Sequence, residues 1–287
     1  MKAYNDTAAI QVDGRRRSYL VHLPTYYNPN VHYPLVLVFH GGGSYGQGMT
    51  GLAHFNPLAN AQNFIVVYPN GYHRSWADGR GTTKADQDGV NDVTFVATLL
   101  DQLTHSLNID TQRIYAAGMS NGGFFTARLG CELADRNAAI AIVAATMPTL
   151  LAERARPSRP VPVLYFHGSE DRFVPAGGGI VTIGAKGSIL SITDAVQWWA
   201  RHNRCMPAPA ITSLPTPVSD GTQVQQIHYR GGAQGADVLH YNIIGGGHTW
   251  PGGKQYLPVG LIGKTTRNLD ATATIQAFFQ DHPLVVR

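Results

Sequence analysis

The chain has 287 residues, of which 44% are hydrophobic and 14% charged, with a formal net charge of +4. That apolar share is enough for a substantial core and excludes a disordered chain, and no run approaches the ~18 uninterrupted apolar residues of a membrane span. The basic clusters are short: residues 15–17, then Arg154, Arg156 and Arg159. Neither has interleaved aromatics or a nucleic-acid module, so nucleic acid is not an expected partner.

The predicted elements begin with a hairpin, AAIQV and RRRSYLVHLP around Asp13-Gly14, a dipeptide suited to a tight turn. Four continuous apolar runs follow: PLVLVFH (34–40), NFIVVYP (63–69), RIYAAG (113–118) and VPVLYFHG (161–168). Such runs suit strands buried on both faces of a parallel sheet. Helical spacing marks 90–108, 122–136, 192–203 and 269–282, with Asn91 or Asp92 placed to cap the first. Residues 207–243 read as two further strands joined by GGAQGA. Strands alternating with helices predict an α/β fold with a mostly parallel central sheet. Without a linker or repeat, residues 1–287 are expected to form a single domain.

Two cysteines, Cys131 and Cys205, permit one disulfide or none. Twelve histidines occur without H-E-x-x-H or C-x-x-C spacing, so no metal and no cofactor is expected. The opening MKAYNDTAAIQVDG holds no apolar signal core. The chain is therefore expected as the mature form of a secreted or periplasmic protein, monomeric or weakly dimeric.

The polar chemistry gathers at strand ends. HGGGS follows the first buried strand, GMSNGG the third, HGSED the fourth, and GGGHTW the strand ending at 244. In an open α/β sheet, ligands bind outside these carboxyl ends. Two segments fit G-x-S-x-G, centred on Ser44 and Ser120. A nucleophile elbow must also open a helix. GGFFTARLGCELA after Ser120 reads as one, whereas YGQGMTG after Ser44 is too glycine-rich. Ser120 is the candidate nucleophile, with Gly118 and Gly122 keeping the turn clear of side chains. The HGGG loop and the amide of Asn121 are expected to form an oxyanion hole. The chain order Ser, acid, His makes His248 the candidate base and leaves Glu170 and Asp171 as candidate acids; His167 reads as structural. Trp76, in HRSWADGR, is an aromatic candidate for the acyl pocket. The glycine-rich stretch 177–188 is expected to be a mobile loop at the mouth of the site.

Together HGGGS, YPNG, DGVNDVTF, YAAGMSNGGF, HGSEDRFVP, WWARHNRC and GGGHTWPGG resemble, in this order, the polyhydroxybutyrate-depolymerase-like esterases. That group overlaps carbohydrate esterase family 1 and the feruloyl and acetylxylan esterases. The resemblance runs from about residue 12 to about residue 282 and implies an α/β-hydrolase fold and a serine carboxylesterase. It implies Asp171 as the acid, from HG-x-x-D-x-x-V-P, and His248 as the base, from GG-x-H-x-W-P. It implies Trp250 as a pocket wall and Gly42 as the second oxyanion donor. Asp92 stands in a departure from the family's D-V-D-D-V and reads as a cap or structural carboxylate. Soluble small-molecule or oligosaccharide esters, feruloyl above all, are the expected substrates, with acetyl or 3-hydroxybutyrate esters as the alternative. A non-catalytic binding protein of the same fold is the reading from another class, and the complete set of triad candidates argues against it.

Overall fold

The computed structural model describes residues 5–284. The chain opens with the hairpin β1 (Asn5–Val12) and β2 (Arg15–His22), whose turn residues Asp13 and Gly14 both take positive φ, as that tight turn requires. Next come β3 (Tyr33–Phe39), α1 (Gly46–Ala53), α2 (Phe55–Gln62), β4 (Ile65–Pro69), α3 (Lys84–Gln87) and α4 (Asp92–Ser106). The middle of the chain holds β5 (Ile109–Met119), α5 (Asn121–Glu132), β6 (Ala139–Val143), α6 (Thr149–Arg154) and β7 (Val163–Gly168). A two-residue ribbon, β8 (Gly179–Ile180) with β9 (Ser188–Ile189), precedes α7 (Ile192–His202). The last elements are β10 (Ala210–Ser213), β11 (Gln223–Tyr229), β12 (Val238–Ile244), α8 (Val259–Ile262) and α9 (Ala271–Gln280).

Ten strands form one sheet in the order β1-β2-β4-β3-β5-β6-β7-β12-β11-β10. The central run from β4 to β12 is parallel, and the pairs outside it are antiparallel. This is the expected α/β-hydrolase architecture. Side chains alternate across each central strand, so both faces need cover. Leu35, Leu37 and Phe39 of β3 join one core with Phe95 and Leu99 of α4, Phe125 and Leu129 of α5, and Trp199 of α7. Val36 and Val38 join the other, with Phe55 of α2 and Ile275 and Phe279 of α9. Each such buried side chain contributes about 1.5–3 kcal/mol over its exposed state. Asn91 caps α4 by accepting from the Thr94 amide at 3.0 Å. Asp92 is instead the structural carboxylate: it is fully buried, pairs with Arg17 at 2.5 Å and accepts from the Ala77 amide at 2.7 Å.

Two expectations change, and one left open is decided. Residues 46–53 form a helix despite their glycines. The intrinsic cost of about 1 kcal/mol per glycine is outweighed by tertiary packing: Met49 and Ala53 are buried, and Gly46 fits so closely that a Cβ would lie 2.6 Å from the Tyr68 carbonyl oxygen. β6 and β10 were not anticipated. Cys131 and Cys205 are both free; Cys131 is buried in α5, and Cys205 follows α7 with Sγ turned toward the Ala236 carbonyl at 3.6 Å. No helix among the described residues is long and apolar enough to cross a membrane.

Candidate active site

The chain crosses from β3 to β4 on one side and to β5 on the other, which opens a crevice beyond the carboxyl ends of β3 and β5. Phe39 stands opposite Gly118 in the parallel register. The next residues on each strand therefore meet: a Cβ on Gly41 would sit 3.5 Å from that of Ser120, and one on Gly42 3.7 Å from that of Asn121.

Ser120 joins β5 to α5 with φ 56 and ψ −122, a backbone that costs a non-glycine residue about 1–3 kcal/mol. A Cβ on Gly122 would strike the Phe39 carbonyl, and one on Gly118 the Gly122 carbonyl, so neither position admits a side chain. The amide of Ser120 donates to Val143 O of β6 at 2.9 Å and fixes the turn to the sheet. Serine is a favoured N-cap, yet the Ser120 side chain makes no capping bond, and the residue lines the cleft. Ser44 has no such backbone, and Tyr45, extended at φ −155, separates it from α1.

The loops after β7 and β12 bring the other two candidates together. Asp171 Oδ2 accepts from His248 Nδ1 at 2.8 Å. Its Oδ1 accepts from the amides of Phe173 at 2.9 Å and Val174 at 2.8 Å. Burial alone would raise this carboxyl, but the charge and hydrogen bond of His248 overcome it and hold Asp171 below the ordinary carboxylate value. With Nδ1 bonded to a carboxylate, Nε2 of His248 is left as the imidazole's basic edge. Glu170 is exposed and makes no such bond. His167 is fully buried behind the acid, bonded through Nε2 to Val174 O at 3.0 Å, and burial lowers its basicity.

Asn121 is held from three directions. Its Oδ1 accepts from the Trp76 amide at 2.9 Å, and its Nδ2 donates to Trp76 O at 3.1 Å and to Asp78 at 2.6 Å. Asp78 is itself paired with Arg80 at 2.7 Å. As the first residue of α5, Asn121 has a main-chain N–H without a partner inside the helix. In the HGGG loop the amides of Gly43 and Ser44 are engaged, with Arg74 O and Gly41 O, which leaves Gly42 beside Asn121 outside those bonds. His40 locks this loop: Nε2 accepts from the Gly71 amide at 2.9 Å and Nδ1 bonds Gly41 O at 2.8 Å.

Ser120, Asn121, His248 and Gly42 line one cleft of about 670 Å³, with Phe124, Phe173, Val181, Ile183 and Leu257 among its apolar walls. The stretch 177–188 thus reaches the cleft, through Val181, Ile183, Gly184 and Ala185, although Val181 is buried. The two tryptophans do not line it. Trp76 is fully buried, stacked on Phe125 at 5.0 Å, with Nε1 donating to His40 O at 3.0 Å. Trp250 is also buried, packed on Phe55 and donating to Thr272 Oγ1 at 2.9 Å. Both indoles satisfy their N–H inside the core, so their expected role as pocket walls is corrected. Sequence reasoning missed Tyr256, whose hydroxyl donates to His248 O at 2.9 Å, and Phe173, whose ring lies 5.1 Å from the imidazole. Only Phe173, within the HGSEDRFVP motif, carried a signal.

A family profile described as "Putative esterase" matches residues 10–199. The chain belongs to this esterase family. It is a carboxylic ester hydrolase. It is 29% identical over 282 residues to a putative esterase, NocK, of Nocardia uniformis subsp. tsuyamanensis, covering 94% of this chain and 80% of the relative. It is 28% identical to feruloyl esterase D of Neurospora crassa over 84% of this chain and 77% of that protein. Among solved structures, an acetyl xylan esterase from Aspergillus awamori shares the fold, with a TM-score of 0.57 over 81% of this chain and 89% of that one, at 13% identity.

Proposed function

We propose that this esterase acts through an acyl-enzyme formed on Ser120, with His248 as general base and Asp171 orienting the imidazole, and that its substrates are feruloyl and related hydroxycinnamoyl esters. The observation that carries the reading is the 2.8 Å bond between Asp171 and His248 at a cleft that also presents Ser120 on a strained strand-to-helix turn. In this reading Ser120 Oγ attacks the ester carbonyl while Nε2 of His248 takes its proton. The amides of Asn121 and Gly42 hold the oxyanion. Collapse breaks the bond to the alcohol, which leaves with the proton from His248. Water then attacks the acyl-enzyme, giving its proton to His248, and the acid departs as Ser120 recovers its own.

Phe124 and Phe173 among the apolar residues lining the cleft suit a planar aromatic acyl group. The likeness to feruloyl esterase D supports the same class. The test is kcat/KM on methyl ferulate, on p-nitrophenyl acetate to octanoate and on acetylated xylan, with Ser120→Ala as blank. Preference for the ferulate, lost in the variant, is the expected result. Hydrolysis retained by Ser120→Ala would overturn the mechanism, and activity confined to short esters would overturn the substrate class.

A further inference from the structure

The cleft is electrostatically one-sided. His73, Arg74, Arg80 and Lys84 line it, and no aspartate or glutamate does. Arg80 and Lys84 are paired with Asp78 and Asp88, at 2.7 Å and 2.6 Å. Arg74 has no ion pair among the described residues. It is exposed, and its guanidinium lies over the Tyr45 ring, 5.2 Å from the centroid. A cation held over a ring in this way is steadied while its N–H groups stay available to an anion.

The backbone beneath it is strained. His73 and Arg74, at φ 46 and 61, form the centre of a tight turn closed by the Ser75 amide donating to Tyr72 O at 2.9 Å. Such a turn favours Asn-Gly. The carbonyl of Arg74 accepts from the Gly43 amide at 2.9 Å, so the turn is bolted to the loop carrying Gly42. A costly backbone thus holds an unpaired cation at a cleft that is also lined by apolar residues such as Ile183 and Leu257.

We propose that Arg74 is a specificity-determining residue that selects esters bearing a free carboxylate. This rests on the esterase reading of the same cleft. A carboxylate on the substrate meets the guanidinium edge in a charge-assisted hydrogen bond, while the rest of the ester lies against the apolar wall. The test compares kcat/KM within two substrate pairs. Mono-4-nitrophenyl glutarate against 4-nitrophenyl pentanoate places the charge on the acyl side. 4-Acetoxybenzoate against 4-methylphenyl acetate places it on the alcohol side.

Each pair is run with the wild type, Arg74→Gly, Arg74→Glu and, as control, Arg204→Gly. Arg204 is likewise exposed with positive φ, at 59, but lies outside the cleft. Glycine favours these backbones, so both glycine variants fold. The anionic-to-neutral ratio is expected to fall about fivefold in Arg74→Gly and further in Arg74→Glu, in at least one pair, and to stay put in Arg204→Gly. The pair that responds identifies the side bearing the charge. Ratios within about twofold of wild type in both pairs, for both Arg74 variants, would overturn the proposal. If Ser120→Ala kept its activity, the esterase assignment of this cleft would fail instead, so the two failures read differently.

Discussion

The Asn121 carboxamide donates to the Asp78 carboxylate at 2.6 Å, and that carboxylate also grips Arg80, whose Nη1 donates to Ala185 O at 2.6 Å. Through these contacts the start of α5 is tied to the loop walling the far side of the cleft. Asp78→Asn is expected to destabilise the protein by about 3–5 kcal/mol in urea titrations, because it leaves the Arg80 guanidinium buried without its charge partner. The same variant is expected to lose about tenfold in kcat with little change in KM, since a loosened Asn121 amide weakens only the transition state. A fall in stability with kcat intact would restrict the pair to a structural role.

Asp171→Asn removes the acceptor that fixes the His248 tautomer. The expected loss is about 10⁴-fold in kcat, with a lower melting temperature because the buried carboxylate is held below its ordinary value by His248. A loss below about tenfold would remove Asp171 from the triad.

Ser120→Gly is expected to abolish turnover and yet stabilise the fold by about 1 kcal/mol, because glycine accepts φ 56 without strain. Calorimetry beside the inactive but still strained Ser120→Ala separates the two effects.

Two buried imidazoles should shape the acid limb of stability. Burial pushes His40 down to about 4 and His240 down to about 3, whereas each ionises near 6.5 when unfolded. Between those values the unfolded chain binds the extra proton, so stability is full above about pH 6.5 and falls as pH drops toward 4. His40 contributes up to about 3 kcal/mol to that fall. His240 Nε2 has no partner among the described residues. His240→Leu is therefore expected to flatten the decline between pH 6.5 and 4 in denaturant titrations. An unchanged slope would mean that this imidazole is already protonated in the folded state.

Trp250→Phe tests its placement in the core. Losing the bond to Thr272 and part of the ring is expected to cost about 1–3 kcal/mol while KM for methyl ferulate moves by less than about twofold. A pocket wall would show the reverse.

The strand-to-helix turn at Ser120 and the loops at Gly42, Asp171 and His248 were legible because each signal is local. Glycines, a serine and a histidine directly follow apolar runs, and the fold's topology gathers strand ends. The direction of an indole is not local. Trp76 and Trp250 stand beside site motifs in sequence, yet the partners that turn them inward, Phe125 and Thr272, lie far along the chain. β6 was missed because AIAIV sits in an alanine-rich stretch that reads equally well as helix, and only its pairing with β5 and β7 decides. The helix at 46–53 was missed for the opposite reason: its glycines argue against it, and contact with Tyr68 of β4 overrides them.

His248 follows β12, which adds to β7 in parallel with Val238 opposite Val163. A chain that ends before β12 carries Ser120, the HGGG loop and Asp171 but not His248. In the proposed mechanism the general base is therefore delivered by a strand 75 residues downstream of its sheet partner (Val238 against Val163). On that mechanism, a chain cut before His248 lacks its general base.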